Sequence, residues 1–170
     1  MLVLRAWCKY WLPVAVWMSL IFVGSTNLLS NQHTSRLLVP FLRWIKPDIS
    51  DAAMHRIQYG IRKCGHMTEY AVLGVLIWRA RRKPQRGDSR PWSWTPAAVA
   101  VGVSVLFAVS DEIHQSFCAQ RYGSAVDVMI DAVGAMLGML ALRLTGKRRC
   151  SSGPGGQADL ASVAAPRSEA

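Results

Sequence analysis

Charge is missing from two long stretches of this sequence, and acidic residues are scarce throughout. Residues 11–29 and 91–110 contain no charged side chain, and 10 Asp and Glu residues stand against 20 Lys and Arg residues. The net charge of +10 would suit a nucleic-acid-binding protein, but the basic residues lie between apolar runs and form no separate basic domain. This distribution is typical of a multi-spanning membrane protein with cationic loops, so we expect no nucleic-acid partner. The sequence also has no internal repeats, and its 170 residues correspond to roughly one domain.

The first uncharged run, residues 11–29, is long enough to cross a bilayer, since a span needs about 20 predominantly apolar residues. A cleaved signal peptide is the alternative, with Gly24 and Ser25 near a cleavage position. However, the run is longer than the hydrophobic region of a usual signal peptide, and it lacks an A-x-A site. We therefore predict a membrane span.

Three further apolar segments predict spans at about 60–79, 92–110 and 125–142. The predicted fold is all-α, an integral membrane four-helix bundle that occupies residues 1–146. Residues 147–170 are mostly small and polar, and we predict a disordered cytoplasmic tail.

The connection between the first two spans is long. Its segment LLVPFLRWIKP mixes apolar and basic side chains, which indicates an amphipathic interfacial segment at the bilayer surface. An irregular polar loop is the alternative. Ser50 is a plausible N-cap for a helix that starts near Asp51 and continues through residues 61–63 into the second span.

The basic residues also predict the orientation. With four spans, the side of the membrane that holds the N-terminus carries thirteen Lys and Arg residues, six of them at positions 79–90. The opposite side carries seven. The positive-inside rule then places both termini and the 79–90 loop in the cytoplasm. We expect an integral membrane protein that crosses the bilayer several times and whose immediate partners are membrane lipids.

With this topology, ionisable side chains from three spans fall at one depth near the outer face of the membrane. On the fourth span, Asp127 and Asp131 share a stripe with Gly134 and Gly138, a G-x-x-x-G pair that permits close helix approach. Carboxylates at the edge of hydrocarbon are costly, so they indicate a functional site that faces a neighbouring helix. Ion pairs that only fix the packing, such as Arg121 with Asp127, are the alternative. The predicted binding residues are Lys63, Tyr70, Glu112, His114, Gln115, Arg121, Asp127 and Asp131.

The ordered set of segments RKCGHMTEYAVLGVL, DEIHQ, a following Arg and DVMIDAVGAMLG resembles the VanZ-like family of small bacterial membrane proteins. The resemblance implies a four-helix membrane bundle in the bacterial envelope, and with it a location in the bacterial cytoplasmic (inner) membrane. For the founding member it also implies a link to low-level resistance to teicoplanin, a glycopeptide antibiotic. Many relatives carry Asn where this chain has Asp131. The family's polar positions correspond here to Lys63, His66, Glu69, Tyr70, Asp111, Glu112, Gln115, Arg121, Asp127 and Gly134.

Two main chemistries are compatible with these residues. In the first, cationic side chains hold an anionic envelope component, such as a lipid-linked cell-wall fragment or a glycopeptide target, while the acids orient hydroxyls or cations. In the second, Glu69 or Asp111 acts as a general base and His66 as the acid on a lipid-linked envelope substrate. No nucleophile stands out, so whether the protein is an enzyme stays open.

A third possibility is a metal site built from His66, His114 and nearby acids. The carboxylates are not matched in pairs as they are in carboxylate-bridged helical bundles, so we predict neither a metal nor another cofactor. Cys64 and Cys118 both fall on the predicted outer side. Separate thiols are a simpler interpretation of this pair than a disulfide.

Overall fold

A computed structural model describes residues 2–25, 31–84, 88, 90–117 and 124–151, and it describes side chains within these ranges except at 2–4, 6, 31–37 and 147–151. This part of the chain contains five helices and no strand, which confirms the predicted all-α class. The helices are α1 (Leu2–Ser25), α2 (Asn31–Ile45), α3 (Asp51–Arg82), α4 (Trp94–Ser116) and α5 (Ala125–Ser151).

Both ends of α3 have a local cause. The Ser50 hydroxyl accepts a hydrogen bond from the backbone N–H of Ala53 at 3.3 Å, so the predicted N-cap is confirmed. At the other end, Lys83 adopts a left-handed conformation with φ of 48°, and its N–H donates to the Arg79 carbonyl at 2.9 Å. Between these caps the helix is continuous through residues 61–63, as predicted.

Three helices are long and apolar enough to cross a membrane: Trp7–Ser25, Trp94–Ser116 and Ala125–Gly146. They overlap the predicted spans at 11–29, 92–110 and 125–142. The helix α3, which contains the predicted span 60–79, is not among them, because its N-terminal half carries charged residues. The helix α5 continues through residues 147–151 of the predicted tail, and residues 152–170 lie outside the described part.

The helix α3 lies at the centre of the bundle and packs against α1, α4 and α5. Its buried residues recur every three or four positions, which places them on one face. The helix α4 also packs against α3, and its buried residues include the small side chains Ala100, Ser104 and Ala108. The core-facing residues of α3 are Tyr70, Leu73, Gly74, Ile77 and Ala80.

The closest approach is between α5 and α3. A Cβ atom added at Gly134 would lie 2.9 Å from the Cα of Met67, and one added at Gly138 would lie 3.0 Å from the Cα of Ala71. Both distances are shorter than a normal carbon–carbon contact, so only glycine fits at either position. The predicted close approach along this stripe is confirmed, and α3 is the neighbour.

The connection between α1 and α3 includes the helix α2, so the alternative of an irregular loop does not hold for residues 31–45. The helix packs only lightly, against α3, and it exposes Phe41 and Ile45 together with Trp44, whose exposed fraction is 81%. Arg43 lies 3.6 Å from Asp51 at the start of α3. This exposed aromatic and basic surface is the segment that we predict to lie at the bilayer surface.

The opposite end of α3 is basic and aromatic. Trp78 stacks on Trp92 with ring centroids 5.8 Å apart. Asp88 accepts hydrogen bonds from the Arg90 side chain, at 2.7 and 2.8 Å, and these bonds lower the pKa of Asp88 below its usual value. The Tyr10 hydroxyl donates to the Pro84 carbonyl at 2.9 Å, which ties α1 to this end of the bundle.

Candidate functional site

Most of the predicted site residues meet at one end of the bundle, formed by the N-terminal half of α3, the C-terminal end of α4 and the N-terminal end of α5. We call this the polar end. Each helix contributes buried or half-buried polar side chains to this end, most of them three or four residues apart and so on one face. The polar cluster consists of Lys63, His66, Glu69, Tyr70, Asp111, Glu112, Gln115, Asp127 and Asp131.

Asp111 links α1 to the last turns of α4. Its side chain is buried, with an exposed fraction of 2%. One carboxylate oxygen, Oδ2, accepts hydrogen bonds from the Ser25 hydroxyl at 2.6 Å and from the Gln115 amide at 2.8 Å. The other oxygen, Oδ1, is buried and has no hydrogen-bond partner in the described part of the chain. Ser25 was not predicted as a site residue, and nothing in its sequence setting indicates a contact 86 positions away.

Lys63 and Asp127 form an ion pair between α3 and α5. Both side chains are mostly buried, with exposed fractions of 12% and 14%, and the Lys63 ammonium also lies 4.9 Å from the centre of the Tyr59 ring. The packing alternative in the sequence analysis pairs Asp127 with Arg121, which lies outside the described residues. In the described part of the chain, the partner of Asp127 is therefore Lys63.

His66 and Asp131 face each other across the same helix pair. His66 Nδ1 lies 3.9 Å from Asp131 Oδ1, too far for a hydrogen bond, and both atoms are buried without a hydrogen-bond partner among the residues that the structure describes. Asp131 has an exposed fraction of only 1%. Four other carboxylates act on it electrostatically, and these belong to Glu69, Asp111, Glu112 and Asp127.

Three further predicted residues have distinct settings. The Tyr70 ring is fully buried, 6.3 Å from the Phe107 ring, and its hydroxyl has no hydrogen-bond partner within the described ranges. Glu112 accepts a hydrogen bond from the Ser124 backbone N–H at 2.7 Å, which ties α4 to the residue before α5. Glu69 is half-buried, and its backbone carbonyl accepts a bond from Trp17 at 3.0 Å.

His114 packs on the α1 side of α4, with its ring centroid 4.3 Å from that of Phe22. No group of three or more His, Cys, Asp or Glu side chains within the described ranges is placed to hold a metal ion. Cys64 is an exposed free cysteine, and its predicted alternative partner, Cys118, lies outside the described residues.

Several buried polar atoms at the polar end have no hydrogen-bond partner among the described residues. Most buried polar groups in proteins are satisfied, so each exception requires an explanation. At the polar end these exceptions come from three helices, α3, α4 and α5. The atoms are His66 Nδ1, Tyr70 OH, Asp111 Oδ1, Asp131 Oδ1 and Arg62 Nε.

Arg62 was not assigned to the site from the sequence. It lies four residues before His66, one helical turn away, and it acts on His66 electrostatically. That spacing is a signal that could have identified it. Of the basic pair at 62–63, only Lys63 is assigned to the site from the sequence, and Arg62 is used only for the orientation of the chain.

The polar cluster is closed on the side that faces the middle of the bundle. Leu73, Ile77 and Ala100 are fully or almost fully buried there, and Met139 and Ala108 complete the same apolar core. The cluster is therefore an end site in this structure, not part of a polar path along the bundle.

A helical bundle with three apolar, membrane-length helices and a buried polar cluster at one end defines a class of helical membrane protein. Residues 10–146 match the family model described as VanZ/LLP1, and the chain belongs to this family. The resemblance inferred from the sequence is thereby confirmed. No curated protein and no solved structure matches the chain.

Proposed function

We propose that this chain is a four-span protein of the bacterial cytoplasmic membrane, in which α1, α3, α4 and α5 cross the bilayer and α2 lies on its outer surface. The position of α3 supports this arrangement. Its ionisable residues Lys63, His66 and Glu69 are half-buried where α3 packs against the other helices, so they are partly shielded from lipid. The distribution of Lys and Arg supports cytoplasmic termini and places the polar end at the outer face.

The function that the geometry supports best is recognition of the polar headgroup of an envelope component, such as a lipid-linked cell-wall precursor. The unpartnered buried atoms of His66, Tyr70, Asp111 and Asp131 carry this proposal. A ligand that supplied their hydrogen bonds would remove the free-energy cost of burying them. Because the apolar core closes the inner side, the ligand enters from the outer leaflet. Shielding of a glycopeptide target would be one consequence of such binding.

A membrane enzyme is the second candidate, and one observation favours it. His66 and Asp131 are 3.9 Å apart, a separation that a small shift on substrate binding would reduce to a hydrogen bond. A histidine oriented by a carboxylate is a common general base, although a nucleophile is not apparent among the described residues. In this version Glu69 or Asp111 would complete the proton transfer.

The binding proposal is tested by analysing what co-purifies with the protein. Lipids and lipid-linked material are extracted from wild-type protein, from Asp131→Asn and from Asp51→Asn, whose carboxylate is exposed and serves as the matched control. We expect one component to be retained in near-stoichiometric amount by wild type and control and to be lost from Asp131→Asn. Equal retention by all three proteins would contradict the proposal.

The enzyme candidate makes a different prediction for the same cells. Envelope composition is compared with and without the protein and with Glu69→Gln. A new envelope product that requires wild-type protein and disappears completely with Glu69→Gln, at equal expression, would favour catalysis. Unchanged products together with a retained component would favour binding alone.

A further inference from the structure

We infer that the ligand of the polar end is a membrane lipid whose headgroup combines a phosphodiester with a neighbouring hydroxyl or ammonium group, and that Arg62 binds the phosphodiester. This inference rests on the proposed binding function and specifies its ligand. Lys63, the adjacent residue, does not have this role, because its charge is already paired.

The acidic side of the cluster requires hydrogen-bond donors from its ligand. Asp111 Oδ1 and Asp131 Oδ1 are buried acceptors without a partner, and both side chains are at least 98% buried. Carboxylates accept hydrogen bonds and have no donor when ionised. Hydroxyl and ammonium groups would satisfy these oxygens, whereas a bare phosphate would be repelled by them.

Arg62, in contrast, requires hydrogen-bond acceptors from the ligand. Its side chain is half-buried, its Nε is buried without a hydrogen-bond partner, and no acidic partner is present among the described residues. Lys63 differs, since Asp127 neutralises it. A guanidinium presents several N–H donors in one plane, which matches the oxygens of a phosphodiester.

Arg62 and Asp131 lie about one helical turn apart along α3, because Arg62 precedes His66 by four residues and His66 faces Asp131. A lipid headgroup in which a phosphodiester adjoins a hydroxyl or ammonium group would place an acceptor near Arg62 and a donor near Asp131. A lipid is the source that fits the fold, since the site lies at the end of apolar helices rather than in a soluble domain.

Three lipids test separately whether the ligand needs a phosphodiester and whether it needs hydrogen-bond donors. Phosphatidylglycerol has both the phosphodiester and hydroxyl groups, phosphatidylcholine has the phosphodiester without any N–H or O–H donor, and monoglucosyl diacylglycerol has hydroxyls without phosphate. Binding of each lipid to the detergent-solubilised full chain is measured by native mass spectrometry. We expect phosphatidylglycerol to bind about tenfold more tightly than either other lipid, as one charge-assisted hydrogen bond would give.

The Arg62→Gln variant should bind phosphatidylglycerol and monoglucosyl diacylglycerol equally, whereas Arg56→Gln should behave as wild type. Arg56 is the matched control because it is an exposed arginine on the same helix. Arg62→Lys, which keeps the charge and loses the planar fork, should retain only part of the preference, and it provides the test if Arg62→Gln does not fold.

Two results would overturn the inference while leaving the proposed function intact. One is a tenfold preference for phosphatidylglycerol that survives Arg62→Gln, and the other is equally tight binding of phosphatidylcholine. Glycerophosphoglycerol is the same headgroup without acyl chains. If it displaces the lipid at an equal concentration, the inference that the ligand is a lipid is wrong. If binding of all three lipids is unaffected by Asp131→Asn, the proposed function fails as well.

Discussion

His66 Nδ1 and Asp131 Oδ1 lie 3.9 Å apart between α3 and α5, and neither atom has a hydrogen-bond partner in the part of the chain that the structure describes. The spacing of the two helices is fixed nearby, where Gly134 packs against the backbone of Met67, the residue after His66. The two side chains are therefore held beside each other by backbone packing, not by their own attraction. Such a pair is suited to receive a polar group from a ligand.

Replacement of Asp131 by Asn should stabilise the protein. A buried carboxylate without a hydrogen bond is unfavourable, and an amide of the same shape carries no charge. We expect the free energy of unfolding to rise by about 1 kcal/mol in Asp131→Asn, measured by denaturant titration in detergent with circular dichroism. A fall of similar size would mean that His66 and Asp131 already form a stabilising ion pair.

Replacement of Asp127 should lower the free energy of unfolding, because its carboxylate is paired with Lys63. Asp127→Asn leaves the mostly buried Lys63 ammonium without its partner, and we expect a loss of about 2 kcal/mol. The double variant Lys63→Met with Asp127→Asn should recover most of that loss, since both charges are then absent. A double-mutant cycle measures the coupling, and additive single effects would show that the pair contributes nothing.

The glycines of α5 should differ sharply in their tolerance of a methyl group. Gly134→Ala and Gly138→Ala place a Cβ against the α3 backbone, so each should destabilise the bundle by about 3 kcal/mol or more. Gly146 lies on the same helix with no atom within 4 Å of an added Cβ. Gly146→Ala should be neutral or stabilising by about 0.5–1 kcal/mol, because alanine favours helix. Equal effects at the three positions would contradict the close packing.

Features within one helix were predictable from the sequence, whereas contacts between helices were not. The stripe of Asp127, Asp131, Gly134 and Gly138 follows from the helical period alone, and so does the Ser50 cap from its local residue types. The pairing of α3 with α5 depends on the relative register of the two helices, which no local pattern specifies. For the same reason the Lys63–Asp127 pair and the contact of Ser25 with Asp111 were not anticipated.

The predicted orientation can be tested with single cysteines in a chain whose four native cysteines are replaced by serine. Asp48→Cys and Arg81→Cys are both at exposed positions, one before α3 and one near its end. A membrane-impermeant maleimide should label Asp48→Cys in intact spheroplasts and Arg81→Cys only after lysis, because the positive-inside rule places the 79–90 loop in the cytoplasm. Labelling of Arg81→Cys in intact spheroplasts would place the polar end at the cytoplasmic face.

Removal of the Tyr70 hydroxyl should weaken ligand binding and leave the stability of the protein almost unchanged. The hydroxyl is buried without a partner, so Tyr70→Phe removes no hydrogen bond within the protein and should change the free energy of unfolding by less than about 0.5 kcal/mol. If the hydroxyl contacts the ligand, the same variant should retain several-fold less of the co-purified component.

Tyr10→Phe is the matched control at the other end of the bundle, where the Tyr10 hydroxyl donates to the Pro84 carbonyl. That variant should lose about 1 kcal/mol of stability and retain the component fully, because it loses an internal hydrogen bond far from the polar cluster. If instead Tyr70→Phe loses stability and retains the component, the Tyr70 hydroxyl has a structural role and does not contact a ligand.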